Sequence, residues 1–483
     1  MSQQIDLTAA AHQEMIRDGL VPDFPPAALA QVAALSDADP SAGDAIDLRE
    51  LLWSSIDNPE SRDLDQVEYA EARSEGAIRV LVGIADVDSR VPQDSPVDLH
   101  ATTNTTSVYC GVVVFPMLPE RLSTGLTSLN EGVDRLAVVL EFVVAPDGTL
   151  SAPKVYRALV HNHAKLDYPS VGAWLEGRGE APAKIAASVP LAGQVRLQDR
   201  AAGLLRMQRH RAGALDLDTI ETTAVTGEGK ITRLALHERN RATLLIEDFM
   251  VSANVTMAQV LEAKGVAAIR RVVKAPERWD RLVALAATLG DRLPAAPDSP
   301  ALSAFVARRR AADPDHFPDL SLAVVKLLGP GEYAVLKPGA ASEGHFGLAV
   351  HDYAHSTAPN RRFADLVTQR LLKSVLVTGK TTYSDDVLVQ VAARCTKMED
   401  AARKVERTCR KQAAAVYLLQ RVGETFDAIV TGANPKGTFV RTIAPPAEGM
   451  VIRGKEGMDV GEKVRVKLVG ANPQRGFIDF ARA

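Results

Sequence analysis

The sequence predicts a mixed α+β protein in three parts: a small helical module, a large mixed-sheet and helical middle, and a C-terminal five-stranded OB β-barrel. Three observations carry that expectation. Apolar residues recur at helical spacing near the N-terminus and through long stretches between 244 and 421. Runs at 78–87 and 136–144 are continuously apolar and β-branched, as buried strands are. After Gly423 the texture changes to short strands separated by Gly, Pro and Asn turns. A chain of 483 residues exceeds one ordinary core, and the expected partition is 1–45, 46–422 and 423–483.

In chain order, Asp6 can cap a helix carrying Leu7, Ala10, Ala11 and Met15 on one face, which Gly19 would end. Pro25 and Pro26 open a second helix with Leu29, Val32 and Leu35 at helical spacing. Two such helices suit either a helix-turn-helix-like module or a cap on the next domain. The 36–43 segment, rich in Asp, Ala, Pro and Ser, reads as a linker. Pro146-Asp147-Gly148 makes the turn into a strand ending near Val160. Helices are expected at 244–264, with an apolar stripe through Ile246, Phe249, Met250 and Ala253, at 361–377 and at 385–421. The last bears Arg394, Lys397, Arg403, Lys404, Arg407, Arg410 and Lys411, a solvated face or a stripe for a polyanion. The barrel strands fall near 428–430, 437–441, 449–452, 463–469 and 476–480. Its Phe426, Phe439 and Phe477 could stack bases, and Lys436, Arg441, Arg453, Lys463, Arg465 and Lys467 could track phosphates.

Composition narrows the class. With 46% hydrophobic and 24% charged residues the chain is ordinary for a globular protein, and a net charge of −4 gives no global nucleic-acid signature. Cys110, Cys395 and Cys409 form no CxxC pair, so a disulfide framework or structural zinc is not expected and a reducing cytoplasm is. The first residues lack the regions of a signal peptide, and no apolar run is expected to reach the length of a membrane span.

The most chemically charged stretch is Asp57-Asn58-Pro59-Glu60-Ser61-Arg62-Asp63-Leu64-Asp65-Gln66. Pro59 breaks any helix, and Asp63 and Asp65, two apart, would point the same way along an extended chain. Three carboxylates in such a loop can gather around a hard, oxygen-seeking cation such as Mg²⁺; they also suit an ordinary solvated turn.

Further runs follow in order: Ile84-Ala85-Asp86-Val87, Thr106-Ser107-Val108-Tyr109, Phe115-Pro116-Met117-Leu118-Pro119, Leu122-Ser123 with Ser128-Leu129-Asn130, and Ile246 through Asn254 (Ile-Glu-Asp-Phe-Met-Val-Ser-Ala-Asn). Then come Gly344-His345-Phe346-Gly347-Leu348 and Tyr353-Ala354-His355-Ser356-Thr357-Ala358-Pro359-Asn360-Arg361-Arg362-Phe363-Ala364-Asp365-Leu366. From about 46 to 420 this order and spacing resemble the catalytic domain of the ribonuclease II family, and the C-terminal barrel looks like the S-one-type RNA-binding domain that follows it there. The resemblance implies a Mg²⁺-dependent (or Mn²⁺-dependent) hydrolytic 3′-to-5′ exoribonuclease. Such an enzyme releases nucleoside 5′-monophosphates from the 3′ ends of single-stranded RNA, and a cytoplasmic monomer is expected.

Carried over residue by residue, the family's metal-binding motif falls on Asp57, Asp63 and Asp65. Asp65 takes the water-positioning or essential metal role, and Asp57 and Asp63 ligate metal. The motif arginine falls on Arg361, with Arg362 in the neighbouring basic position, and an acidic residue of the long helix on Glu406. The base-clamping aromatics match Tyr109 and Tyr168, and a third clamp has no clear counterpart around Thr219–Thr222. His345 and His355 have no metal-ligand spacing and read as structural hydrogen bonders.

Two departures stand out. Where the family commonly has a fourth aspartate this chain has Gln66, which offers a carbonyl oxygen but no charge. The family also commonly carries two cold-shock OB domains at the N-terminus, and 45 residues cannot hold one, which suggests a more open RNA entrance. A second function class therefore stands beside the enzyme: an RNA-binding or regulatory protein on a weakened nuclease scaffold.

Overall fold

The computed structural model describes residues 6–37, 43–218, 222–227, 230–236, 239–314, 316–434 and 437–483. Two helices open the chain, α1 (Leu7–Arg17) and α2 (Pro26–Ala33). Asp6 caps α1 by accepting from the Thr8 and Ala9 amides, and Gly19 ends it in a left-handed turn. Both helices lie on the main body: α1 packs on the long helix near the C-terminus and α2 on α3 (Pro96–Asn104). Ala11 and Met15 share a core with Val108, Phe115 and Val405.

The principal sheet is built from β1 (Ile46–Asp47), β2 (Trp53–Asp57), β3 (Gln66–Ala72) and β4 (Ile78–Ala85), followed beyond a short β5–β6 hairpin (Val108–Tyr109 and Val114–Phe115) by β7 (Asp134–Val144) and β8 (Leu150–Asp167). Its order is β1-β8-β2-β3-β4-β7, and β7 also pairs antiparallel with β8, so the sheet curls back on itself. The β8 strand is 18 residues long, well past the expected end near Val160. Its later part pairs in parallel with β2, aligning Asp57 with Asp167. Strand 78–87 stops at Ala85 because Asp86 caps a single helical turn by accepting from the Ser89 amide.

Against this sheet lie α4 (Tyr168–Leu175), α5 (Ala183–Ala186) and α6 (Val189–Arg211); a hairpin β9–β10 (Thr222–Gly227 and Lys230–Leu236) precedes α7 (Arg241–Ala263). The third clamp region begins outside the described residues, at 219–221. By length and composition α7 could cross a membrane, contrary to the expectation that no apolar run reaches that length. However, 67% of its most apolar window is buried inside the protein, and Phe249, Ala253 and Met257 sit in the main core. It is a core helix.

Residues 268–336 form an insertion whose composition gave little warning. Strands β11 (Ala268–Val272) and β12 (Glu332–Leu336) pair across an excursion of three helices, α8 (Trp279–Thr288), α9 (Ser299–Ala312) and α10 (Phe317–Leu328). The helices have their own core of Trp279, Leu302, Phe305 and Phe317. Helices α11 (Phe363–Thr378) and α12 (Asp385–Leu419) follow. A closed barrel, β13 (Thr425–Asn434), β14 (Gly437–Thr442), β15 (Ala447–Arg453), β16 (Lys463–Asn472) and β17 (Phe477–Arg482), completes the fold.

The barrel corrects several surface expectations. Phe426, Ala428 and Val430 point inward by the two-residue period of β13, so Phe426 packs on Phe480 inside the core and is not available for stacking. Arg441 is buried in an ion pair with Asp319 of α10, 2.8 Å away. Phe477, in contrast, is 57% exposed. Lys436 lies outside the described residues. On α12, Arg394 donates to the Thr102 and Thr103 carbonyls, Arg403 pairs with Glu399, and Lys404 pairs with Asp18. Arg394 and Lys404 thus fasten α12 to other elements, while Arg403 pairs within the helix.

Candidate active site

The aspartate loop leaves the end of β2 at Asp57 and enters β3 at Gln66. Asp57 accepts from its neighbour's amide, Asn58 N–H (2.7 Å), and from Ser61 Oγ (2.9 Å), which folds the chain back behind Pro59. The underside of the loop is tied down by polar contacts. Lys165 Nζ of β8 donates to the carbonyls of Pro59 (3.1 Å) and Ser61. Ser128 Oγ donates to the Arg62 carbonyl and accepts the Leu64 amide, at 2.8 and 2.9 Å. Leu64 is buried in the main core, so its carboxylate neighbours Asp63 and Asp65 turn to the open side.

A second loop, 354–362, meets the first. The Asn360 amide donates to Asp65 Oδ1 (3.2 Å), and Arg361 Nε lies 3.4 Å from Asp65 Oδ2. That loop is held from behind: Asn254 accepts the Ser356 amide (2.8 Å) and Asp365 accepts the Ala358 amide (2.9 Å). The Thr127 hydroxyl donates to Asn360 Oδ1 (2.6 Å). Arg361 itself remains 45% exposed, facing the cavity.

One cavity of about 440 Å³ brings together Asp57, Asp63, Asp65, Gln66, Tyr109, Tyr168 and Arg361. Tyr109 projects from the β5–β6 hairpin, 42% exposed, and Tyr168 is the first residue of α4, set by the Asp167 cap. Burial, with Asp57 and Glu68 nearby, keeps the Tyr168 phenol protonated. Two expected site residues do not line the cavity. Arg362 turns away, its guanidinium on Asp365 (2.7 Å) and Thr357 (3.3 Å), and so braces the loop that presents Arg361. Glu406 sits behind the hairpin, accepting the Tyr109 amide at 2.9 Å.

The sequence reading missed Thr243, Glu247 and Met250, which α7 adds to the cavity wall beside Ile246. The stripe through Ile246 and Met250 reads as core, and only the charge at Glu247 interrupting it signals a wet edge. Missed too was Lys165. His345 Nδ1 accepts the Leu348 amide and His355 Nδ1 meets Tyr333 Oη, so both are hydrogen-bonded as expected. Burial, then Arg271, pushes His345 down to about 4.

Electrostatically the site is held against its own charge. Burial raises Asp65 to about 7, opposed by Arg361 and reinforced by Asp63; burial also raises Asp57. Among the described residues no three carboxylate, imidazole or thiol groups converge tightly enough to form a finished metal cage. The donor set still fits a hard divalent cation. Asp57, Asp63, Asp65 and Gln66 line one cavity, and the raised Asp65 carboxyl lacks a cationic partner closer than 3.4 Å. Phosphate oxygens of a ligand would complete the coordination sphere.

Residues 45–378 match the RNB domain, and residues 424–483 match the RNase II-type exonuclease C-terminal S1 domain. The chain belongs to the RNB family. Among its RNB relatives, Ribonuclease R of Vibrio cholerae serotype O1 is 33% identical over 513 residues, covering 97% of this chain and 61% of the relative. The chain thus spans about three fifths of that relative's length. Among solved structures, Mycoplasma genitalium RNase R in complex with ribose methylated single-stranded RNA shares the fold at a TM-score of 0.88 and 23% identity, over 99% of this chain and 78% of that one. Yeast Ssd1, a pseudonuclease, shares it at 0.68 and 14%, over 92% and 56%.

Proposed function

We propose that this RNB protein is a Mg²⁺-dependent 3′-to-5′ exoribonuclease that hydrolyses RNA from its 3′ end and releases nucleoside 5′-monophosphates. The observation that carries the proposal is the meeting of three carboxylates, one exposed arginine and two tyrosines in a single cavity. A phosphodiester is shielded by anionic oxygens, so hydrolysis needs positive charge at the phosphate and an aligned water. Asp57, Asp63 and Asp65, with the Gln66 carbonyl, would hold the cations. When bound, these lower the pKa of the attacking water and stabilise the leaving 3′-oxygen.

The chain's own groups do the rest. Arg361, fixed at its backbone by the Ser107 amide donating to its carbonyl (3.0 Å), grips the scissile phosphate and offsets charge that grows in the transition state. Tyr109 and Tyr168 stack the terminal bases, each worth roughly 1–3 kcal/mol and indifferent to sequence. Glu406 and Arg362 act one layer back, setting the Tyr109 hairpin and the Arg361 loop. The exposed Phe477 extends the RNA track onto the barrel. We propose a cytoplasmic monomer, in the partition 1–45, 46–422 and 423–483.

The test is a single-stranded RNA, 5′-labelled in one sample and uniformly labelled in another, incubated with protein and Mg²⁺, then with Arg361→Ala. The expected result is shortening from the 3′ end, mononucleotide product, and loss of both on EDTA addition and in the variant. The second reading, a pseudonuclease, is favoured by Gln66, which leaves the cavity one carboxylate short. RNA retained on the protein with no mononucleotide formed, at any Mg²⁺ or Mn²⁺ concentration, would establish it.

A further inference from the structure

Cys110 and Cys409 are 299 residues apart in sequence but meet behind the wall that carries Tyr109. Cys110 follows Tyr109 directly and closes the β5–β6 turn, its amide donating to the Val113 carbonyl at 2.9 Å. Cys409 lies on α12 one turn beyond Glu406, the residue that accepts the Tyr109 amide. Both side chains belong to one small core with Val108, Val405 and, from α1, Ala11 and Met15. Each is free and only 3% exposed, and the β5 strand that leads directly into Cys110 packs on α12, which carries Cys409.

We propose that Cys110 and Cys409 form a reversible disulfide that fastens the Tyr109 hairpin to α12. The pair is asymmetric in a way that suits the chemistry. Cys110 acts as donor, which holds its thiol up, and lowers Cys409, whose thiolate it stabilises. Glu14 and Glu406 lie near both sulfurs and work against their ionisation. With hydrogen peroxide as oxidant, the Cys409 thiolate attacks one peroxide oxygen, forming a sulfenic acid and releasing hydroxide. The Cys110 thiol then displaces the sulfenic oxygen as water. Two thiols and one peroxide give one disulfide and two waters, the thiol pair losing two electrons and the peroxide gaining them. Cys395, also on α12 but 14 residues earlier, lies near Thr105 and Ala364 and supplies an internal control.

The inference does not depend on catalysis. The full chain is treated with peroxide, alkylated under denaturing conditions and digested. The expected result is loss of two of the three thiols, an intact mass lower by about 2 Da before alkylation, and one bridged peptide pair containing Cys110 and Cys409, all reversed by dithiothreitol. Amide exchange across residues 105–117 should slow in the oxidised protein. Cys110→Ser or Cys409→Ser should abolish the bridge and Cys395→Ser leave it intact; Cys110→Ala and Cys409→Ala serve where a serine is poorly tolerated in the core. A bridge through Cys395, consumption of thiols only as sulfinic acid, no thiol loss at a peroxide dose that oxidises free cysteine, or unchanged exchange at the hairpin would overturn the proposal.

Discussion

Replacing Asp65 with asparagine should remove hydrolysis and at the same time stabilise the metal-free protein. The side chain is 5% exposed, and burial lifts its carboxyl from the ordinary 3.8 to about 7. The unfolded chain ionises near 3.8 and the folded one near 7, so between these values the folded state keeps a proton that the unfolded state has released. Stability therefore falls as pH rises through that window and levels off above it. The full difference corresponds to about 4 kcal/mol withheld from the fold at pH 8.5. Asparagine keeps the acceptor for the Asn360 amide but carries no charge. Arg361 loses its partner, yet that group is 45% exposed and the loss costs no more than about 1 kcal/mol. Urea unfolding in EDTA should thus show Asp65→Asn more stable by about 3 kcal/mol at pH 8.5 and by roughly 1 kcal/mol at pH 5. RNA hydrolysis with Mg²⁺ should fall by at least ~10³ with RNA affinity largely kept. A variant less stable than wild type at pH 8.5, or equally stabilised at both pH values, would refute the burial argument. Undiminished hydrolysis would remove Asp65 from the catalytic assignment.

Other changes test other parts of the cavity. Gln66→Asp adds a carboxylate worth up to about 4 kcal/mol toward a charge ~4 Å away at an effective dielectric near 20. Repulsion from its acidic neighbours cuts this, so calorimetry should show Mg²⁺ binding roughly 10-fold tighter at pH 8, and unchanged or weaker binding would count against the site. Lys165→Met removes the two carbonyl contacts under the aspartate loop, and a lower kcat with RNA affinity within about twofold is expected from the loss of these charged hydrogen bonds; equal loss of both would point to general unfolding. Tyr168→Ala should weaken RNA binding by roughly 1–3 kcal/mol while Tyr168→Phe keeps it, and equal losses in the two would assign the effect to the hydroxyl.

What could be read from the sequence was what short, ordered segments encode. The aspartate loop read alone suited a cation site or a solvated turn, and Arg361, Tyr109 and Tyr168 were placed by the resemblance to a known family; the cavity collects all of them. Orientation was less legible. Arg362 stands beside Arg361 but points the other way, because Asp365, one helical turn on, captures its guanidinium. Glu406 was a site acid only by carry-over from the resembling family, and the rotation of α12 gives it the Tyr109 backbone as a partner. Phe426 would have been assigned to the core by applying the alternation of β13 strictly. The β11–β12 pair escaped notice because its strands are separated by three helices, so no local pattern announces them. Lys165 is invisible to any motif: a lysine at a strand end is usually solvated, and its role depends on which carbonyls the folded loop presents.

The partners of Asp65 have a consequence for the order in which the protein is made. Asp65 is laid down early in synthesis, but the amide that anchors it, Asn360, is 295 residues further along the chain. Such distant pairings form slowly and late. Tyr109 likewise waits for Glu406, 297 residues on. A nascent chain leaving the ribosome therefore displays its acidic loop long before it has an arginine opposite it or a wall behind its tyrosine. Translation itself keeps the cavity unfinished until α12 has emerged as far as Glu406, so the acidic loop and the wall behind Tyr109 come together only after both distant segments are made.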